Sequence, residues 1–115
     1  MTRDLFDTDQ FLASLAQDRE LADELVDAFL EDCPRRVMEL AEALGAGDVG
    51  AGTKLAHSLK GMCGVVRADE LSRLALEMEY AGRNGNLDLL RERFADFNES
   101  LARTRELMVR FRGNG

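Results

Sequence analysis

A histidine between two lysines is the group in this chain best suited to chemistry. His57 is the only histidine, and the only two lysines, Lys54 and Lys60, lie three residues before and three residues after it. An imidazole that is mostly neutral near pH 7 can attack an electrophile, and neighbouring ammonium groups stabilise an anion. Phosphoryl transfer depends on such positioning and positive charge. The pattern therefore indicates a histidine that receives and hands on a phosphoryl group.

The helix that carries His57 is expected to present it to water. On a wheel of about 100° per residue, His57 lies about 200° from Leu55, on the far side from the predicted buried stripe. That stripe consists of Leu55, Leu59, Met62 and Val66. The side with His57 has only polar and small residues, which are Gly50, Thr53, Lys54, Lys60, Gly61 and Gly64.

Gly61 and Gly64 indicate that this exposed side is kept open. Each glycine costs a helix about 0.5–1 kcal/mol relative to alanine. A missing side chain one turn after His57 would let another protein approach the imidazole. In addition, no Asp or Glu occurs from Val49 to Ala68, although the chain has 22 acidic residues. We therefore predict a small site suited to an anion.

Other chemistries lack the residues they need. One histidine without Cys/His spacing does not make a zinc site, which takes three or four protein ligands. No G-x-S-x-G elbow accompanies Ser58, and no phosphate-binding G-x-x-x-x-G-K-[ST] motif or kinase signature occurs. We expect neither kinase nor ATPase activity, and whether the chain is an enzyme in its own right stays open.

Composition favours one helical domain over 1–115. The chain has one proline, no tryptophan and a formal net charge of -7, which disfavours binding to nucleic acid or to anionic membranes. Because no basic-then-apolar leader and no membrane-spanning run is seen, the expected location is the cytoplasm. There Cys33 and Cys63 are expected to be buried and reduced, with a disulfide as the lesser alternative.

Apolar spacing and capping residues predict five helices. They are a short helix over 9–17, capped by Thr8 or Asp9 and placed as a lid, and four longer ones over 18–44, 48–66, 69–84 and 86–112. Short loops between long helices predict an all-α, antiparallel up-down four-helix bundle. We expect Pro34 to kink or split the first long helix.

The segment "AHSLKG", Ala56 to Gly61, resembles the H-x-L-K-G signature of histidine-containing phosphotransfer (HPt) domains of multistep phosphorelays. The resemblance extends over about residues 9–110 and implies the same bundle with a short N-terminal helix. Glu79 occupies the family's usual acidic position. Arg67 stands where a glycine is common.

The resemblance also implies roles for the site residues. His57 would be phosphorylated, Lys60 would stabilise the phosphoryl group, and Gly61 would let a receiver domain dock, with Lys54 and Gly64 at the same surface. The family implies reversible transfer from a receiver's phospho-aspartate, with Mg²⁺ supplied by that receiver and no cofactor of the chain's own. The expected partners are receiver domains and a hybrid sensor histidine kinase, and the expected state is a monomer.

Three alternatives remain open. The chain could be the phosphorylated-histidine substrate domain of a chemotaxis-type kinase. It could be a module that binds receivers without being phosphorylated. It could also be an enzyme for a small phosphorylated substrate, for which the sequence gives no sign of a cleft.

Overall fold

Six helices make up the computed structural model, which describes residues 2–113. They are α1 (Thr2–Leu5), α2 (Thr8–Ser14), α3 (Arg19–Gly45), α4 (Val49–Val65), α5 (Asp69–Arg83) and α6 (Leu87–Gly113). Residues 1, 114 and 115 of the predicted domain lie outside the described residues. Within residues 2–113 there is no strand, so the predicted all-α class is confirmed.

The four long helices form an antiparallel bundle. Loops of three residues, 46–48, 66–68 and 84–86, join them and force consecutive helices to run in opposite directions. Helix α3 packs against α4 and α6, and α5 packs against the same two helices from the other side. The predicted up-down four-helix bundle is therefore confirmed, with α4 and α6 at opposite corners.

Side-chain caps begin three of the four long helices, α3, α4 and α6, where the sequence indicates, whereas α5 begins after Ala68 without a side-chain cap. Asp18, Asp48 and Asn86 each accept the backbone N–H of the residue three positions later at 3.0 Å. Such a bond satisfies one of the donors that a helix start leaves free. Helix α2 differs from the prediction because Asp7, rather than Thr8 or Asp9, accepts the N–H of Gln10.

The short helix α2 also ends earlier than predicted, at Ser14 instead of residue 17. Ala16 and Gln17 have positive φ angles of 54° and 64°, which a right-handed helix does not allow. Arg67, between α4 and α5, likewise has a φ of 59°. Glycine favours that backbone conformation, which gives a physical reason why glycine is common at this position in the resembling family.

The N-terminal helices cover one end of the bundle, as expected of a lid. The rings of Phe6, Phe11 and Phe111 lie 5.6–6.1 Å apart between centroids. The guanidinium of Arg19 stacks 4.0 Å from the Phe111 centroid. These contacts join α2, and Phe6 between α1 and α2, to the start of α3 and the end of α6. The four-residue α1 was not predicted, because a single turn carries no periodic pattern.

Pro34 does not split the first long helix, so that alternative of the prediction is wrong. Helix α3 is continuous from Arg19 to Gly45. Proline removes one backbone hydrogen bond, but the apolar residues on both sides of Pro34 are held in the core. Phe29, Cys33 and Leu40 are buried there, and this packing keeps the two halves in one helix.

The buried side of α4 lies about 60° around the helix from the predicted stripe. Its buried residues are Gly52, Ala56, Leu59 and Cys63, whereas Leu55 and Met62 are only partly buried. The prediction followed the large apolar residues, but the helix packs through small ones. A Cβ at Gly52 would lie 3.2 Å from Leu90 Cδ2 and 3.3 Å from Leu44 Cδ2. His57 remains on the exposed side.

Both cysteines are free and buried, as predicted. Burial in apolar surroundings raises the pKa of the Cys33 thiol to about 12 and raises the pKa of the Cys63 thiol as well. Both side chains are therefore protonated near pH 7 and act as small core residues. No helix within residues 2–113 is long and apolar enough to span a bilayer.

Candidate functional site

A buried carboxylate lies beneath the exposed histidine. The His57 side chain is 64% exposed, and its Nδ1 lies 3.1 Å from Oε2 of Glu79 on α5. Only 1% of the Glu79 side chain is exposed. Lys60 Nζ donates to the other oxygen, Oε1, at 2.9 Å, and Arg83 Nη2 donates to Oε2. The carboxylate of Glu79 therefore contacts three nitrogen-bearing side chains, those of His57, Lys60 and Arg83.

Glu79 is ionised, which fixes the role of the imidazole. The hydrogen bond from Lys60 lowers the pKa of Glu79 most, and the bond from His57 and the charge of Arg83 lower it further, against the opposing effect of burial. An ionised carboxylate only accepts hydrogen bonds, so Nδ1 of His57 must carry the proton. The lone pair of the neutral ring is then on Nε2, the nitrogen that is not bonded to Glu79.

The absence of Asp and Glu from residues 49–68 therefore does not mean that the site has no carboxylate. Glu79 reaches the imidazole from the neighbouring helix, α5. The excess of positive charge nevertheless remains, because Lys60 and Arg83 carry two positive charges against the one negative charge of Glu79. A site with this balance attracts an anion to the imidazole.

The predicted docking residues Lys54, Gly61 and Gly64 are all exposed on α4. Among the described residues, a Cβ at Gly61 would meet nothing within 4 Å, and one at Gly64 would only reach Ser72 Oγ at 4.0 Å. Packing within that part of the chain therefore does not require glycine at these two positions. Within the described residues Lys54 forms no ion pair, so its charge is available at the surface.

Thr53 lies against α5, although it was predicted on the open side of α4. A Cβ at Gly82 would be 2.1 Å from Thr53 Oγ1 and 3.3 Å from its Cα, so Gly82 allows the two helices to approach closely. This contact, one turn before His57, brings Glu79 under the imidazole, where Arg83 on the same helix bonds to it. Sequence reasoning treated Gly82 only as part of a helix stop and missed this role.

Two further features border the site on the α3 side. Arg36 Nη1 donates to Ser58 Oγ at 2.8 Å, directly after His57 in the chain. Beyond it a shallow, mostly apolar groove runs between α3 and α4. Its lining residues are Leu25, Ala28, Phe29, Asp32, Met62, Val65 and Val66. The sequence alone could not assign either feature to particular residues, because each depends on residues about 20 or more positions apart.

In the described part of the chain, no three His, Cys, Asp or Glu side chains come together in an arrangement that could hold a metal ion.

Replacing Glu79 should measurably weaken the fold. We expect Glu79→Gln to lower the free energy of unfolding by about 1–3 kcal/mol near pH 7, because Lys60 and Arg83 lose their shared charge partner but can turn to water. Glu77→Gln is the control on the same helix. The Glu77 side chain is 36% exposed, so water weakens its ion pairs. Glu77→Gln should therefore lower the free energy of unfolding by less than about 1 kcal/mol. Urea unfolding measures both values.

The effect of Glu79 should also depend on pH. Because its pKa is lowered in the fold, its stabilising contribution is complete above the ordinary value of 4.5 and is lost as the pH falls through the lowered value. The difference between wild type and Glu79→Gln should therefore shrink below about pH 4.5. A difference that stayed the same or grew in acid would contradict an ionised Glu79.

Comparison with known proteins agrees with this geometry. The model of the Hpt domain family matches residues 24–107. The crystal structure of histidine-containing phosphotransfer protein B (HptB) from Pseudomonas aeruginosa PAO1 is similar, with 31% sequence identity and a TM-score of 0.86. The alignment covers 93% of this chain and 94% of that one. No curated protein matches the chain.

The family match includes the residues that meet at the exposed imidazole. His57, Lys60 and Glu79 all fall within residues 24–107, and the similarity to HptB extends over nearly the whole bundle. The chain therefore belongs to the Hpt family, the histidine-containing phosphotransfer proteins of phosphorelays.

Proposed function

We propose that His57 accepts a phosphoryl group from the phospho-aspartate of one receiver domain and passes it to the aspartate of another. The observation that carries this proposal is the exposed imidazole whose Nδ1 is bonded to the buried, ionised Glu79. That bond orients the ring and leaves Nε2 as the nucleophile.

The transfer step needs no further base on this chain. The lone pair of Nε2 attacks phosphorus, and the Nε2–P bond forms while the bond from phosphorus to the aspartate oxygen breaks. The electron pair leaves with the carboxylate. The Nδ1 proton stays in its hydrogen bond to Glu79, which stabilises the positive charge that the ring gains. The reverse sequence returns the phosphoryl group to a second receiver.

Lys60 and Arg83 are proposed to balance the charge of the phosphoryl group. A phosphoryl group adds close to two negative charges, and these two side chains can each share their donors between Glu79 and the new oxygens. Lys60 is the group with a direct role at the phosphoryl oxygens. Lys54, further along the exposed side, adds to the local positive potential.

We further propose that the receiver supplies the Mg²⁺ for transfer, and that it docks over Gly61 with Gly64 and Lys54 at the edge of the contact. A hybrid sensor kinase is the proposed first donor in the relay. Free, buried thiols at Cys33 and Cys63 are consistent with a reducing compartment, and we place the exchange in the cytoplasm with the chain acting as a monomer.

The proposal is tested by mixing the protein with a radiolabelled, phosphorylated receiver domain and Mg²⁺. Label should move to the protein as an acid-labile, base-stable adduct and should move on to a second, unlabelled receiver. Incubation with labelled ATP alone should leave the protein unlabelled, which separates a relay protein from one that carries its own kinase activity. Absence of label from every receiver tested, in a folded sample, would contradict the proposal.

A further inference from the structure

We propose that Arg36 is a specificity-determining residue that binds an acidic side chain on the surface of the docked receiver domain. This inference rests on the proposed function, because it assigns a role to a residue beside His57 in the same encounter. It concerns the choice and orientation of the partner rather than the chemistry at the imidazole.

Arg36 and His57 lie at opposite edges of the exposed side of α4. Arg36 reaches across from α3 and donates Nη1 to Ser58 Oγ at 2.8 Å. At about 100° per residue, Gly61 lies between His57 and Ser58 around the helix. A protein that rests on the open surface at Gly61 would therefore meet the imidazole on one side and the Arg36 guanidinium on the other.

No ion pair balances the charge of Arg36 within residues 2–113. Among the described residues no carboxylate lies within ion-pair distance of it, and its bond to Ser58 goes to an uncharged hydroxyl. Its neighbour Arg35 pairs with Asp32 at 3.8 Å instead. A guanidinium has five N–H donors in a planar fork that fits a carboxylate. The bond to Ser58 holds this fork in place and leaves most of its donors available.

The bonds at the imidazole argue for a partner contact rather than a second phosphate contact. Arg36 bonds to Ser58, which points about 100° away from His57 around α4, and not to Glu79, the carboxylate that contacts the imidazole. Lys60 and Arg83 already lie at the imidazole through Glu79. Arg36 is therefore placed to read a separate acidic group on the partner.

The apolar groove indicates how that partner is seated. It lies on the same seam between α3 and α4 as Arg36, and Val65 at its edge is 53% exposed. On a suitable receiver, apolar residues would fill the groove while an adjacent acidic residue pairs with Arg36. A basic residue in the same position would be repelled by Arg36 and Lys54, which excludes partners that differ in this charge.

The test compares Arg36→Ala with Arg35→Ala, a control that removes the adjacent arginine on the same helix. The donor is a phosphorylated receiver domain that transfers to the wild type. Transfer rates are measured over a range of receiver concentrations at low and high salt. Phosphoramidate, a small donor that needs no docking surface, labels His57 directly in a parallel assay.

We expect Arg36→Ala to lower kcat/KM for the receiver about tenfold through a higher KM and to weaken its salt dependence, while Arg35→Ala stays near wild type. Arg36→Lys should fall between them, because it keeps the charge but not the fork. Labelling by phosphoramidate should be unchanged in all variants. That result also shows that the variants are folded.

Two results would overturn the role of Arg36 alone: unchanged receiver kinetics in Arg36→Ala, or an equal loss of labelling by phosphoramidate, which would place Arg36 in the chemistry at His57. If the wild type accepts no phosphoryl group from any receiver, the proposed function itself fails and the role of Arg36 fails with it. Transfer to the wild type therefore distinguishes failure of the role of Arg36 from failure of the proposed function.

Discussion

His57→Gln is expected to fold as the wild type does and to accept no phosphoryl group from a receiver domain. The side chain is 64% exposed, and within residues 2–113 its one side-chain bond is to Glu79, so its loss should change the free energy of unfolding by less than about 1 kcal/mol. A glutamine amide has no nucleophilic lone pair on nitrogen. Transfer should therefore fall to the background of the assay.

Ser58→Ala is the matched control for this variant. Ser58 is the adjacent residue and carries the hydroxyl nearest in sequence to His57, but its oxygen accepts a bond from Arg36 rather than taking part at the imidazole. Ser58→Ala should still form the acid-labile adduct. Label that persisted in His57→Gln, or that disappeared only in Ser58→Ala, would place the acceptor on another residue.

Gly61→Leu is expected to leave the bundle intact and to slow transfer from a receiver by about 100-fold or more. A Cβ at Gly61 meets nothing within 4 Å, so the leucine fits and its helix propensity favours the fold by about 0.5–1 kcal/mol. The same side chain stands in the open surface one turn from His57. It would hold the donor phosphorus away from Nε2, and a displacement of about 1 Å is enough to slow such a reaction severely.

Phosphoramidate and a second variant separate blocked docking from damaged chemistry. The small donor should label Gly61→Leu as well as it labels the wild type. Ala102→Leu adds similar bulk at an exposed position on α6, at the opposite corner of the bundle, and should transfer normally. Normal transfer from the receiver to Gly61→Leu would show that Gly61 does not lie under the docked partner.

The helices could be predicted because their signals are local. Asp18, Asp48 and Asn86 cap within three residues, and loops of three residues leave little freedom for the bundle's topology. The exposure of His57 could also be predicted, because His57 lies outside both the predicted buried stripe of α4 and the buried side that the structure shows. What the sequence could not give was the packing that places small residues such as Ala56 and Cys63 at the centre of the buried side.

The contacts that complete the site lie between helices, and spacing along one helix cannot reveal them. Glu79 entered the interpretation only as an acidic position of a resembling family, whereas its bonds to His57 and Lys60 depend on how closely α4 and α5 approach. That approach depends in turn on Gly82 having no side chain opposite Thr53. Arg36 joins Ser58 from 22 residues away, beyond the range of any local pattern.

The ring nitrogen of His57 that carries the phosphoryl group shows whether Glu79 sets the orientation of the nucleophile. Nuclear magnetic resonance of the ¹⁵N-labelled, phosphorylated protein can assign phosphorus to one nitrogen of His57. The hydrogen bond from Nδ1 to Glu79 predicts phosphorus on Nε2 and a proton retained on Nδ1. Phosphorus on Nδ1, or on any residue other than His57, would contradict the account.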